Sequence, residues 1–320
     1  MRSPPRAFSD PEGEAGTQID CRRKRCPVTQ NKRIWAALFL SGPLLIYLII
    51  VIIPLFSSFY FSLTDWNGFN KSYNMVGLAN FRKIASDPLF MNAIKNTVIW
   101  MVAAIVIPTV VGLAIALVLN EGIRGSNVYK SLFYLPICLS LAVVGQVWIW
   151  VYQPDWGLIN EVLRRLNLDH LVLAWLANRN TALPAVILAW SWQQIGLAMV
   201  IFLAGLTAIP TDLTEAAQID GASYRQSLRH VVIPLLSPMT VVVIALAIIN
   251  SLKSFDIVYI MTGGGPFHSS DTLAIFMYLQ SFKSYYMGYG SAIAVVLFVI
   301  ALVIIGFYFR QVQAVERLYD

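Results

Sequence analysis

A chain of 320 residues that is 58% hydrophobic, only 12% charged and has a mean hydropathy of +0.66 does not have the composition of a soluble domain, where about a quarter of residues are charged. The deficit runs the whole length, which argues against a single anchor on a soluble body and predicts a polytopic membrane protein. The net charge of +6 is concentrated at the start, where Arg2, Arg6, Arg22, Arg23, Lys24, Arg25, Lys32 and Arg33 all precede Trp35. A membrane span follows at once, so a basic flank on the cytoplasmic side of that span explains the run better than a nucleic-acid surface.

In chain order, residues 1–34 are rich in Pro, Gly, Arg and acids and have no periodicity, which predicts a disordered cytoplasmic tail. Cys21 and Cys26 lie in it without a His or a second Cys pair, a poor zinc signature, and Cys138, inside an apolar run, is expected to pack. The apolar run after the tail is too long for the core of a signal peptide and no small-residue cleavage site follows it, so it reads as a retained span. A bilayer core of about 30 Å needs about 20 apolar residues per helix. Six segments meet that length, approximately 34–56, 98–119, 132–152, 185–206, 239–260 and 291–309. Each is expected to satisfy its backbone polar groups within its own helix, with Pro43, Pro54, Pro108 and Pro136 tolerated through neighbouring groups. Trp35, Tyr60, Trp66, Trp150, Tyr152 and Trp156 flank span ends as an aromatic belt would. The expected fold is an all-α membrane protein, a six-helix bundle filling residues 35–320. With the N-terminus inside, 14 of the 23 Lys and Arg fall on inner segments, so both termini, 121–130 and 207–238 are expected to face the cytoplasm.

Within these spans a few polar groups stand out. Gln193 and Gln194 lie midway along the fourth span beside Trp190 and Trp192, and Asn250, Ser251 and Ser254 lie along the fifth. Amides and hydroxyls suit sugar hydroxyls, and aromatic faces suit sugar C–H edges; hydrogen bonds between helices are the alternative use. Lys253 and Asp256, one helical turn apart, are expected to neutralise each other. Between the fourth and fifth spans lies the polar stretch EAAQIDGASYRQS, residues 215–227. Asp212 is expected to cap a short helix with Glu215 completing a capping box. Gly221 then permits a turn, Ser223 caps a second helix with Gln226, and Pro234 and Pro238 stop it. Ala216 and Ala217 leave a low surface that another protein can approach; on the residues alone, a structured linker explains the stretch equally well. The chain has no G-x-x-x-x-G-K-[ST] phosphate loop. It shows no nucleophile or metal constellation in its spans and too few buried acids for a proton relay.

EAAQIDGASYRQSLRHVVIPLLSP resembles the EAA loop of ABC importer permeases, whose pattern falls on Glu215, Ala216, Ala217, Asp220, Gly221, Ala222 and Pro234; Leu228 stands where the family usually has an aromatic residue. VGLANFRKIASDPLFMNAIKNT (76–97), FDIVYIMTGGGP (255–266) and GYGSAIAV (288–295) are similar to segments of the carbohydrate-importer branch, of the maltose or glycerol-3-phosphate first-permease type. The resemblance covers nearly everything after residue 34. It implies a permease subunit in a bacterial inner membrane that performs no covalent chemistry and holds no cofactor of its own. Its partners would be a second homologous permease, two ATPase subunits that bind the ATP and Mg, an extracytoplasmic sugar-binding protein and a carbohydrate. It also implies that Glu215, Ala216, Ala217, Asp220, Gly221 and Ala222 dock in an ATPase groove, and that the fourth and fifth spans line the path, with Gln193, Gln194, Asn250, Ser251 and Ser254 facing it. A secondary transporter or channel working without ATP is the alternative.

Overall fold

The structure, a computed structural model, describes residues 28–316 and divides at Pro54–Leu55 into two units. The tail up to Pro27, with Cys21 and Cys26, lies outside the described residues. In the first unit, α1 (Val28–Tyr47) begins inside the stretch assigned to the tail and runs into a π-turn at Leu48–Ile52. Its side chains Leu38, Phe39 and Leu44, and Ile50 of the π-turn, are exposed, as a lipid-facing helix requires.

The remaining elements are α2 (Ile53–Ser62), α3 (Ala79–Ser86), α4 (Pro88–Asn120), α5 (Ser126–Tyr134), α6 (Leu141–Val151), α7 (Leu158–Arg165) and α8 (Ala182–Ala208). Then come α9 (Thr211–Ile219), α10 (Tyr224–Ser227), α11 (Ile233–Leu235), α12 (Ser237–Leu252), α13 (Asp256–Met261), α14 (Leu273–Tyr278) and α15 (Met287–Glu316). No β-strand occurs among the described residues; Thr64 and Met75 form an isolated bridge.

Four helices are long and apolar enough to cross a bilayer, at Trp35–Ser62, Pro88–Asn120, Ala182–Ala208 and Met287–Arg310, and two bent helix pairs bring the number to six. The bends correct the expectation of six uninterrupted helices. The third span is broken by 104° between Ser126–Cys138 and Leu141–Val151. Pro136 opens a short 3-10 turn there, Leu139 is extended, and the Ser140 side chain accepts from Val143 N to start α6. At about 1.5 Å per residue, α6 alone reaches about 16 Å, roughly half a bilayer core. In the fifth span α12 ends at Leu252, and α13 resumes at Asp256 after three residues outside helix. The helix leading into it, Tyr224–Leu235, meets α12 at 63°.

Proline chemistry explains part of this. A proline lacks the N–H that would bond the carbonyl four residues earlier, and its ring collides with that carbonyl. A π-turn relieves both conflicts. One lies two residues before Pro54 and another, Leu228–Val232, two residues before Pro234. Pro234 therefore does not stop its helix as the sequence pattern suggests; the helical run ends at Leu235 with Leu236 as its C-cap, and Pro238 sits in the first turn of α12.

The centre of the second unit is the pair α4 and α8, which carries Trp100, Ala104, Val186 and Trp190 in one buried cluster with Val144, Ile257 and Ile275. The two helices run in the same direction, since Trp100 meets Trp190 and, further along both, Gly112 meets Ala198. Their approach depends on Gly112. A β-carbon there would lie 2.7 Å from Ala198 Cβ and 2.9 Å from Met199 N, closer than atoms pack. Small residues at such contacts are how helices associate where lipid removes the hydrophobic drive. Two packing expectations fail. Cys138 is exposed at the end of the 3-10 turn, and Tyr152, assigned to the aromatic belt, is buried and donates to Ala185 O at 3.1 Å.

Candidate translocation pocket and coupling segment

Where the fifth span breaks, a cavity of about 220 Å³ opens between α8 and the α12–α13 break. Its polar lining comes from Gln194, Asn250, Ser254, Lys253 and Asp256, and its apolar walls include Trp190 and Phe255. Of the five side chains singled out in the spans, three meet here: Gln194, Asn250 and Ser254. Ser254 is 5% exposed and its hydroxyl has no hydrogen-bond partner within the described chain. An unsatisfied buried hydroxyl is costly, and this one is enclosed in the wall beside the cavity.

Gln193 and Ser251 are not in the lining. Gln193 Nε2 donates to Leu139 O at 2.7 Å, the carbonyl freed by the break in the third span. It is thereby committed to satisfying backbone that no helix serves. Successive residues on a helix point about 100° apart, so Gln194 faces the cavity while Gln193 faces the break; Gln194 Nε2 also donates to Gln193 Oε1 at 3.2 Å. Ser251 is fully buried and its hydroxyl donates back to Ile248 O at 2.8 Å.

Lys253 and Asp256 form no ion pair with each other; those among the described residues are Arg164–Glu161, Arg165–Glu161 and His268–Asp271. Instead Lys253 caps the C-terminus of α12 and Asp256 opens α13. Each charge sits at the helix end whose dipole favours it, which leaves both free to face the cavity. Phe255 between them stacks on Tyr259, ring centres 5.4 Å apart and 14° from parallel. The sequence reading missed these three as lining residues. The signal was present as the polar interruption Lys253–Asp256 in an apolar run.

A second assembly adjoins this cavity. The segment 262–272 lies against α4, where Asn92 Nδ2 donates to His268 O at 2.6 Å and Asn96 Nδ2 to Ser269 O and Asp271 O, both at 2.9 Å. Asp271 is fully buried, with Oδ2 2.7 Å from His268 Nδ1 and Oδ1 without a partner. Burial pushes its carboxyl above the usual carboxylate range, against the opposing pull of His268.

The polar segment between α8 and α12 folds as helix, turn, helix. Pro210 rather than Asp212 precedes its first helix, so Asp212 falls inside the first turn and the expected Asp212–Glu215 capping box is not formed. Its C-terminus is a Schellman motif. Ala222 N bonds Ala217 O at 2.9 Å and Gly221 N bonds Gln218 O at 3.0 Å. Gly221 holds φ +83°, the left-handed conformation such a motif places after the cap. The second helix starts as expected, with Ser223 N donating to Gln226 Oε1 at 2.8 Å. Glu215, Ala216, Asp220 and Gly221 are exposed, Ala217 and Ala222 half-buried, and Ile219 is 87% exposed, an apolar side chain that nothing in the described chain covers. The segment is tied back to the end of α4 by Tyr224, whose hydroxyl donates to Glu121 Oε1 at 3.0 Å. That bond raises the tyrosine's pKa.

A six-span helical bundle with broken third and fifth spans, a polar cavity at one break and a capped polar helix pair projecting between spans four and five is the architecture of a transport permease. Residues 108–317 match the model of the family described as binding-protein-dependent transport system inner membrane component, and the chain belongs to that family, the permeases of ABC importers. It is 35% identical to the probable ABC transporter permease protein YurN of Bacillus subtilis over 86% of this chain and 94% of that one. It is 36% identical to the probable starch degradation products transport system permease protein AmyD of Thermoanaerobacterium thermosulfurigenes, over 88% and 96%. In fold it is similar to a chain of a bacterial ABC transporter involved in the import of the acidic polysaccharide alginate, with a TM-score of 0.77 at 21% identity, covering 92% of this chain and 99% of that one.

Proposed function

We propose that this chain is one of two membrane subunits of an ATP-driven carbohydrate importer, with residues 207–238 as the element that docks on a separate ATPase. The observation that carries the carbohydrate reading is the cavity at the fifth-span break, where Gln194, Asn250 and Ser254 meet beside Trp190 and Phe255. Amide and hydroxyl groups serve sugar hydroxyls, and indole and phenyl faces serve the apolar edges of sugar rings. The relative named for the transport of starch degradation products and the alginate importer of the same fold support that substrate class. Glu215, Ala216, Ala217, Asp220, Gly221 and Ala222 form the docking surface, and exposed Ile219 supplies an apolar anchor.

The reading fixes an orientation in the inner membrane. Both termini, 121–130 and 207–238 lie in the cytoplasm, and 61–95, 153–182 and 261–288 lie outside. In a background with Cys21, Cys26 and Cys138 replaced, Ile219→Cys is expected to react with a charged maleimide from the cytoplasmic side only, and Trp156→Cys from the outside only. Ile219→Cys reacting from outside in intact cells would overturn the orientation and the docking role with it. The function itself is tested by purification. An ATPase, a second permease and an extracytoplasmic binding protein should be recovered with the chain, and the sugar that binding protein retains should stimulate ATP hydrolysis by the complex. A chain that purifies alone and transports without ATP would support a secondary carrier instead.

A further inference from the structure

The break in the fifth span leaves the carbonyl of Ser254 outside any helix, in a residue that is only 5% exposed. Such a group must be satisfied by something. Thr272 satisfies it. Its hydroxyl donates to Ser254 O at 2.9 Å, and both residues are buried.

Thr272 is itself held. It precedes α14, and the next amide, Leu273 N, donates to Thr97 Oγ1 of α4 at 2.9 Å. Before it in the chain, Ser269 O and Asp271 O are gripped by Asn96, and His268 O by Asn92. At its base, Ser270 donates to Gly265 O at 2.7 Å and lies 2.8 Å from Thr262 Oγ1. Asn92 and Asn96 are four residues apart on one face of α4, and Thr97, the next residue, holds the strap from beside that face. Residues 262–273 are therefore an outer strap, riveted to α4 along one edge and bonded to the cavity wall at the other.

We propose that Thr272 is a positioning residue for translocation. Through the strap it fixes the non-helical turn at Lys253–Phe255, and with it the place of Ser254 in the cavity wall. The assignment rests on the reading of that cavity as the sugar path. It gives the buried Asn96 and Thr97 a purpose that helix packing does not require. A displacement of the outer strap is carried to Ser254 through one hydrogen bond, so the outer surface and the cavity move together.

The test needs no sugar. In the background lacking Cys21, Cys26 and Cys138, Ser254→Cys and, separately, Asn250→Cys are reacted with a small charged maleimide in the assembled complex. Thr272→Val keeps the shape of the side chain and removes the donor, whereas Thr272→Ser keeps the donor. The expected result is that Thr272→Val speeds labelling of the Ser254→Cys thiol about tenfold and changes that of the Asn250→Cys thiol less than about twofold, while Thr272→Ser leaves both near the parent rates. An unchanged rate at position 254 in Thr272→Val overturns the proposal. So does a parallel rise at both positions, which marks general loosening rather than positioning. Should Thr272→Val fail to insert, Thr97→Val, which releases the strap at Leu273 N, is measured in the same way and decided by the same outcomes. Failure of the sugar-path reading shows elsewhere, as normal uptake in Asn250→Leu.

Discussion

Gly221→Val and Glu215→Lys are each expected to abolish ATPase association, or its stimulation by the loaded binding protein, while leaving insertion and pairing with the second permease intact. For Gly221 the cause lies in the backbone alone. A β-carbon there meets nothing within 4 Å, so a larger side chain collides with no neighbour. The penalty comes from φ +83°, which a β-branched residue tolerates poorly. The strain is about 1–3 kcal/mol, enough to shift the turn equilibrium by roughly 5- to 150-fold. Gly221→Asn supplies the control, because Asn visits the left-handed region far more readily, and it should retain most of the coupling. Glu215 is exposed and four residues from apolar Ile219, on the same helical face. Reversing its charge at an interface costs several kcal/mol where the facing group is basic. The checks are co-purification with the ATPase, then phosphate release with and without binding protein and sugar. Normal values for both variants would reduce the segment to a linker.

The second large effect is expected at the cavity. Asn250→Leu and Ser254→Ala together should lower uptake at sub-saturating sugar by about one to two orders of magnitude, at about 0.5–1.5 kcal/mol for each sugar hydrogen bond lost. The complex should still assemble. The reason is specific to Ser254, whose hydroxyl bonds nothing in the described chain and so holds no helix to another. Gln193→Leu is the contrasting case. It strips Leu139 O of its donor at the broken third span, so its cost should appear as lost stability of the assembled complex. If the Asn250/Ser254 pair leaves uptake unchanged, or if it disrupts assembly while Gln193→Leu does not, the division of roles argued from the hydrogen bonds is wrong.

How much of this was legible in the chain follows from the range over which each signal acts. Bilayer thickness sets a length that hydropathy reads directly, so the number of spans and their approximate positions were visible. The breaks were not, because an average over about 19 residues is blind to where the backbone leaves the helix. Local markers existed, in Pro136 followed by Ser140 and in the polar run Lys253–Asp256, but a polar residue in a span reads equally as lining or as helix contact. The polar segment between α8 and α12 was legible because its structure is local. A glycine after an alanine-rich helix and a Ser-x-x-Gln start are read within a few residues; of the two failures, Asp212 as a cap is a shift of two positions at Pro210, and Pro234 as a stop is undone by the π-turn before it.

The cavity depended on tertiary packing. Gln194 and Asn250 meet only because α8 packs beside the α12–α13 break, and which of two adjacent glutamines faces the cavity turns on a rotation of about 100° per residue. Asn92, Asn96 and Thr97 lie in a stretch that resembles a loop, although the i,i+4 spacing of Asn92 and Asn96 places two amides on one helix face.

The most direct measurement of the central claim is sugar accumulation in sealed vesicles. The chain, its sister permease and the ATPase are reconstituted with the binding protein outside, loaded with the radiolabelled sugar it retains, and ATP is enclosed inside. The expected result is accumulation above the bath concentration that requires both the binding protein and hydrolysable ATP, and that Gly221→Val abolishes. Sugar that merely equilibrates without ATP, or that accumulates with a proton gradient in its place, would contradict it.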